Sequence, residues 1–211
     1  MTSGATATTA KGRYWLPWVL LVALLALATA GTAFVGVVAW IGCRNFNWRT
    51  GLLATAGKED LLEPVAREAL HASMRALNAV ASRAALANDV RCATDLTGFG
   101  LLGHASHIAR ASDVTLRFDG RLLPELPGAR ALWASGVRTG GAERNESFVA
   151  TLADWVAARP ADVALALDPQ TSGGLLVAVP PARLADYLSA VSGSVVVGQV
   201  EVRGNALIVL G

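Results

Sequence analysis

The segment 14–43 contains no charged side chain, and it constrains the chain more than any other feature. Its centre reads LPWVLLVALLALATAGTAFVGVVAWIG, which exceeds the roughly 20 apolar residues that cross a bilayer as a helix. Trp15, Trp18 and Trp40 lie near its two ends, where an aromatic belt lies in membrane proteins. Because the run is apolar on every face, it suits a membrane helix better than a buried core helix. We therefore predict one transmembrane helix over 14–43.

The flanks of this run set expectations for processing and location. Residues 1–13 are small and polar, which predicts a disordered tail. The letters ATAGTA offer a small-residue cleavage site, so a signal peptide is the alternative, although the run is longer than an h-region of roughly 7–15 residues. Basic residues are slightly more numerous after the run than before it. We predict a single-pass membrane protein with a cytoplasmic C-terminal domain, and a cytoplasmic protein as the alternative.

The remainder of the chain has the pattern of one layered domain. Residues 44–49 form a short junction, and helical and strand-like segments alternate over 50–211, which predicts an α+β or α/β domain. The predicted helices include 59–88, 100–112, 146–160 and the segment after Pro180, and the predicted strands include 90–94, 114–118, 163–167, 174–180 and two closing strands.

The stretch RCATDLTGFGLLGHA, residues 91–105, is the first candidate site. It places Asp95 after a predicted strand and before a helix start that glycines interrupt, and ligand sites favour such places. A carboxylate there suits Mg²⁺, while Gly98 and Gly100 would let the backbone approach an anion at the helix start. In the alternative interpretation, Asp95 or Thr97 simply caps the helix, which stabilises it by about 1 kcal/mol. The residues alone leave these two interpretations balanced.

Two further loops carry polar groups and glycines. DPQTSGG, 168–174, reads first as a turn between apolar strands, yet Thr171, Ser172 and Gly173 also supply hydroxyls and bare backbone for an anion. GVRTGGAERN, 136–145, combines two glycines with two arginines and Asn145. Its arginines suit a phosphate clamp, although solvated arginines are commoner.

The sequence gives little support for several classes of function. The net charge is +2 and the basic residues are scattered, so nucleic acid is not an expected partner. Two distant cysteines predict neither a disulfide framework nor a zinc cluster. His104 and His107 are three residues apart on one predicted helix, but without a third ligand they read as packed or surface side chains. The only lysines, Lys11 and Lys58, flank the predicted membrane segment, so we expect none inside the α/β domain.

Three stretches together resemble the C-terminal half of selenide, water dikinase (selenophosphate synthetase), in the same order and spacing. They are ATDLTGFGLLGHASHIA (93–109), PGARALWASGVRTGGAERN (127–145) and LDPQTSGGLLVAVP (167–180). The segment 50–78 is similar to the part that precedes them in that family, so the resemblance covers residues 50–211. It implies a fold like the C-terminal domain of the aminoimidazole-ribotide-synthetase superfamily.

The resemblance also implies a reaction and a set of ligands. Members of the family form selenophosphate, AMP and phosphate from selenide, ATP and water. The family motif makes Asp95 a Mg²⁺ ligand. ATP is the substrate, and the implied contacts with it come from the glycine-rich and polar loop positions, namely Thr97, Gly98, Gly100, Asn145, Thr171, Ser172 and Gly173.

The sequence departs from the family in its N-terminal part. The family's catalytic Cys or Sec segment, its nearby lysine and further magnesium aspartates have no counterpart, and the letters around Cys43 do not match that motif. We therefore expect no catalytic residue of the reaction in this chain, and a separate N-terminal dikinase domain or a second copy as partner. The alternative, from a different class, is a non-catalytic, membrane-anchored module that binds nucleotide or another protein, derived from a truncated dikinase.

Overall fold

The computed structural model describes residues 37–41 and 49–211. Within these residues, seven strands form one mixed sheet, and α-helices pack around it. The strands are β1 (Val37–Ile41), β2 (Cys92–Asp95), β3 (Val114–Phe118), β4 (Ala153–Asp154), β5 (Leu175–Val179), β6 (Val195–Val202) and β7 (Ile208–Leu210). The helices are α1 (Thr50–Lys58), α2 (Pro64–Arg75), α3 (Ala79–Ala87), α4 (Gly100–Ser112), α5 (Ala129–Ala134), α6 (Gly140–Val149), α7 (Pro160–Leu167) and α8 (Leu184–Ala190), with 3₁₀ turns at Gly120–Leu122 and Pro181–Arg183.

The order of strands across the sheet is β2-β5-β1-β6-β3-β7-β4. Neighbouring strands are antiparallel from β2 to β3, while β7 runs parallel to both β3 and β4. The candidate metal ligand Asp95 is therefore the last residue of β2, which among the described residues is an edge strand that pairs only with β5.

The strand β1 corrects part of the predicted membrane helix. Residues 37–41 belong to the predicted span 14–43, but they form a strand that pairs with β5 on one side and β6 on the other. The helix prediction is wrong for these residues, because an apolar segment that gains sheet partners on both sides satisfies its backbone groups there. The rest of the predicted span and the tail 1–13 lie outside the described residues. Within the described ranges, no helix is both long enough and apolar enough to cross a bilayer.

Helices cover both faces of the sheet, as the layered prediction requires. Along β5, Leu176 faces a core that contains Leu102 of α4 and Leu165 of α7. The alternate residues Val177 and Val179 face a second core formed with α3 and α8. Side chains alternate between the faces of a strand, so the two cores lie on opposite sides of the sheet. A third apolar cluster joins α1, α2 and α5 without a strand residue among its described members, and Leu53 and Leu126 are among its most buried side chains.

Most predicted elements agree with the structure, and three do not. The helix predicted over 59–88 is interrupted after Arg75, where the backbone becomes extended, and α3 starts at Ala79. The helix predicted over 146–160 begins earlier, at Gly140, because the Thr139 side chain accepts a hydrogen bond from the Ala142 amide and caps it. It also ends earlier, since β4 follows it.

The strand predicted over 163–167 is the last part of helix α7. Pro160 occupies the first turn, where its missing N–H costs nothing, and Asp162 adds a negative charge near the positive end of the helix. A run of five apolar residues has no periodicity that distinguishes a helix from a strand, so Pro160 and Asp162 are the local features that favour the helix.

Candidate functional site

The loop after β2, residues 96–99, and the loop 168–174 lie against each other. The Leu96 amide donates to the Gly174 carbonyl at 2.9 Å, and the Gln170 amide donates to the Thr97 carbonyl at 3.0 Å. Two of the three sequence motifs thereby form one structure at the end of β2.

Gly173 explains why the second loop needs a glycine. A Cβ at this position would overlap the carbonyl oxygen of Leu96, so the two backbones approach each other only without a side chain. The Gly173 carbonyl also accepts a hydrogen bond from the Asn78 side-chain amide at 3.0 Å. The break between α2 and α3 thus supplies a residue that holds this loop.

Asp95 lies exposed at the end of β2. Within the described ranges, no hydrogen bond or ion pair engages its carboxylate. Helix α4 begins after Phe99 and no side chain caps it, so the interpretation of Asp95 or Thr97 as a helix cap is wrong. Gly100 opens the helix with φ +64°, and a side chain there would also collide with the Leu167 carbonyl.

His104 holds the loop from inside the helix that follows it. Its Nε2 accepts a hydrogen bond from the Thr97 amide at 3.0 Å and lies 2.9 Å from the Thr97 hydroxyl oxygen. Burial lowers the pKa of His104, and the nearby Asp95 carboxylate opposes this shift. The imidazole is therefore neutral, with Nε2 as acceptor. Over residues 37–41 and 49–211, no group of three or more His, Cys, Asp or Glu side chains lies close enough to hold a metal ion.

Asn145 donates the hydrogen bonds of its side-chain amide to backbone carbonyls of the domain. It is 5% exposed, and its Nδ2 donates to the carbonyls of Gly98 at 2.9 Å and Leu167 at 2.8 Å. These two bonds fix α6 to the start of α4 and the end of α7. Thr171 and Ser172 are exposed at the tip of the second loop, and Ser172 has φ +55°.

The sequence did not indicate the role of Asp168, which is 3% exposed. Its Oδ2 accepts hydrogen bonds from the amides of Gly51 at 3.1 Å and Leu52 at 3.3 Å, so it caps the start of α1 from another part of the chain. Burial raises the pKa of Asp168 to about 7, while these amide bonds and the charge of Arg49 oppose the shift. The spacing of residues gave no signal for this contact.

Arg49 is the largest of the fully buried side chains, at 1% exposed. Its Nη2 donates to the Ala161 carbonyl at 2.6 Å, and its guanidinium carbon lies 5.9 Å from the centroid of the Trp133 ring. Burial lowers the pKa of Arg49, and nearby carboxylates including Glu125 and Asp168 oppose the shift. A residue that we assigned to the junction 44–49 is thus part of the core beside the loop 168–174.

A cleft of about 610 Å³ lies between α1 and α6 and is also lined by Gly98 and Phe99. Gly98 and Asn145 line it, whereas Asp95, Thr97 and the loop residues 171–173 do not. Lys58 also lines it, as the last residue of α1. The expectation of no lysine inside the domain is therefore wrong, because Lys58 belongs to a helix that is packed into the domain.

The family profile of the AIR synthase related protein, C-terminal domain, matches residues 44–210. The chain belongs to this family. The chain is also similar to selenide, water dikinases, which confirms the resemblance to their C-terminal part. That of Bordetella bronchiseptica is 40% identical over 174 residues, which is 76% of this chain and 50% of the relative. That of Escherichia coli K12 is 38% identical over 144 residues, covering 66% of this chain and 41% of the relative. The chain therefore spans about half the length of these relatives.

Solved structures show the same fold. Hydrogenase maturation protein HypE of E. coli aligns with a TM-score of 0.56 and 16% identity, over 88% of this chain and 47% of HypE. A HypE structure in complex with ATP aligns with a TM-score of 0.51 and 15% identity, over 81% of this chain and 43% of that protein. The predicted superfamily fold is thereby confirmed for the C-terminal domain.

Proposed function

We propose that this chain supplies the C-terminal half of an ATP- and Mg²⁺-dependent site that forms selenophosphate, AMP and phosphate from ATP, selenide and water. The similarity to selenide, water dikinases supports the reaction class. Within the structure, the exposure of the Asp95 carboxylate supports the proposal. This carboxylate is without a structural role and lies next to two loops that several buried side chains hold in place.

The residues present fit Mg²⁺ as a partial site. Carboxylate oxygen is a ligand that Mg²⁺ prefers, and the ion commonly takes only one or two carboxylates beside substrate phosphates. When bound, it would neutralise charge on the transferred phosphoryl group. Asp95 would hold the ion, and the backbone from Thr97 to Gly100 would approach the phosphates.

The loop 168–174 contributes in a different way from the one that its sequence suggested. Thr171 and Ser172 are exposed and available to a ligand, whereas Gly173 permits the close approach of the first loop. Asn145 acts as a positioning residue because both described amide bonds fix the Gly98 and Leu167 carbonyls. We assign the remaining groups of the site to an N-terminal dikinase domain or to a second copy of the chain.

Reconstitution tests this proposal. The full chain is mixed with the N-terminal half of the Bordetella relative, and AMP formation from ATP is measured with and without selenide. We expect selenide-dependent AMP only in the mixture, and its loss in Asp95→Asn. Asp113→Asn is the matched control. Asp113 is also exposed, and it follows the end of α4 with φ +50°, which asparagine tolerates.

The second candidate is a module that binds nucleotide or a partner protein without catalysis. The absence, among the described residues, of any group of three or more His, Cys, Asp or Glu side chains that could hold a metal ion favours it. This candidate predicts ATP binding by the mixture with no selenide-dependent AMP. Full activity of Asp95→Asn in the mixture would contradict the metal role itself.

A further inference from the structure

The cleft between α1 and α6 carries positive charge without a compensating acid. Lys58 and Arg144 line it, and no Asp or Glu does so among the residues that the structure describes. Neither cation makes an ion pair within residues 49–211, although other arginines there, such as Arg117 and Arg130, do. The two charges are therefore free to act on a ligand.

The position of Arg144 adds to this imbalance. Its Nη1 lies 3.5 Å from the point that a Cβ on Gly140 would occupy, so the guanidinium folds back over the first turn of α6. A helix start carries partial positive charge, and a cation beside it is unfavourable by itself. Glu143 also belongs to this first turn but does not line the cleft. An anion in the cleft would relieve the repulsion between the guanidinium and the helix end.

The same cleft also contains aromatic side chains in its lining. Phe99 is 52% exposed and Phe148 is 41% exposed, and both line it. Their ring centroids lie 6.2 Å apart with the planes tilted by 46°, and the His107 ring lies 5.8 Å from Phe148. Exposed phenyl rings that line a cleft suit contact with a planar ring of a ligand. The volume of about 610 Å³ is within the range of small-molecule sites.

We infer that this cleft binds a phosphate-bearing planar ring, in the class of nucleoside monophosphates. Arg144 and Lys58 hold the phosphate beside the start of α6, and Phe99 and Phe148 contact the ring. Asp95 does not line the cleft, although Gly98 of the proposed phosphate-contacting backbone does, so this binding does not depend on the metal ligand of the proposed function. It needs neither Mg²⁺ nor the N-terminal half of a dikinase.

Calorimetric titration of the full chain with AMP, adenosine and inorganic phosphate tests the inference. We expect AMP to bind at least about tenfold more tightly than adenosine or phosphate alone, because both parts of the cleft contribute. Binding should persist in EDTA and weaken as salt increases. Failure of AMP to bind, or binding that requires Mg²⁺, would overturn the inference without bearing on the reconstitution assay.

Variants separate the two parts of the cleft. Arg144→Gln should weaken AMP and phosphate binding by about tenfold or more, and the double change with Lys58→Gln should weaken it further. Phe148→Leu should weaken AMP binding and leave the affinity for phosphate unchanged. Arg203→Gln is the matched control, since Arg203 is exposed and lies outside the cleft. Equal effects of Arg144→Gln and Arg203→Gln would refute the assignment, and thermal unfolding of each variant verifies that it is folded.

Discussion

The buried carboxylate of Asp168 makes the stability of this domain depend on pH in an unusual direction. Its pKa is raised from 3.8 to about 7, so the folded state binds a proton that the unfolded state releases between these pH values. A raised pKa means that the contribution to stability is complete below the unfolded pKa and is lost as the pH rises through the folded pKa. The free energy of unfolding should therefore fall as the pH increases from about 4 to about 7.

The size of the effect follows from the shift. A difference of about 3 pKa units corresponds to about 4 kcal/mol, with a slope of about 1.4 kcal/mol per pH unit inside the window. Asp168→Asn removes the titration and keeps an oxygen that accepts from the Gly51 and Leu52 amides. Its stability relative to the wild type should rise by about 3 kcal/mol between pH 5 and pH 8.

Urea unfolding followed by circular dichroism at several pH values measures this difference. Comparing the variant with the wild type at each pH cancels the titration of other groups, and Asp113→Asn serves as an exposed control. A difference that stays constant between pH 5 and pH 8 would refute the reasoning. It would mean that the two amide donors and Arg49 outweigh burial and keep Asp168 ionised.

Other predictions concern the loops and the N-terminal segment. Gly173→Ala should lower the free energy of unfolding by about 2 kcal/mol or more, because the new Cβ meets the Leu96 backbone. Gly98→Ala should leave that free energy nearly unchanged, since nothing lies within 4 Å of its added Cβ. Urea unfolding compares the two variants. His104→Ala should cost about 1–3 kcal/mol by leaving the Thr97 amide without its acceptor, and hydrogen exchange at that amide should accelerate. Residues 14–36, the part of the charge-free run that precedes β1, predict that the full chain remains with membranes after carbonate extraction. Recovery in the supernatant would contradict this, and a mature N-terminus near residue 31 would instead show signal-peptide cleavage.

Local patterns predicted those elements whose ends the sequence marks. Helix α4 matches the predicted 100–112 because a glycine-containing loop precedes it and apolar residues recur along it at helical spacing, and β3 matches 114–118 because apolar and polar residues alternate. The segment 163–167 failed because five apolar residues carry no period of their own. The strand β1 was hidden inside a longer apolar run, and its partners β5 and β6 lie far along the chain.

The candidate site divides in the same way. The residue types of TDLTGFG and DPQTSGG left a ligand-binding role open beside a capping or turn role, and the ligand-binding role stays a prediction. The contacts that hold these loops were not visible in the sequence, because they join distant residues. The Asp168 carboxylate accepts a hydrogen bond from the Gly51 amide, which is 117 residues away in the sequence. The Asn145 side chain donates to the Gly98 carbonyl, which is 47 residues away. Only the fold brings such groups together, so nothing in the sequence indicated that Asn145, predicted as a ligand contact, also holds two backbone carbonyls.

The metal role of Asp95 is the central claim, and a paramagnetic ion tests it without an activity assay. Mn²⁺ replaces Mg²⁺ with ATP in the mixture of the labelled full chain and the N-terminal half of the Bordetella relative, and backbone amide signals are recorded by NMR. We predict selective broadening of the signals from residues 94–98 in the wild type and in Asp113→Asn, and none in Asp95→Asn. Equal broadening in Asp95→Asn, or no broadening of these signals in the wild type, would contradict the account.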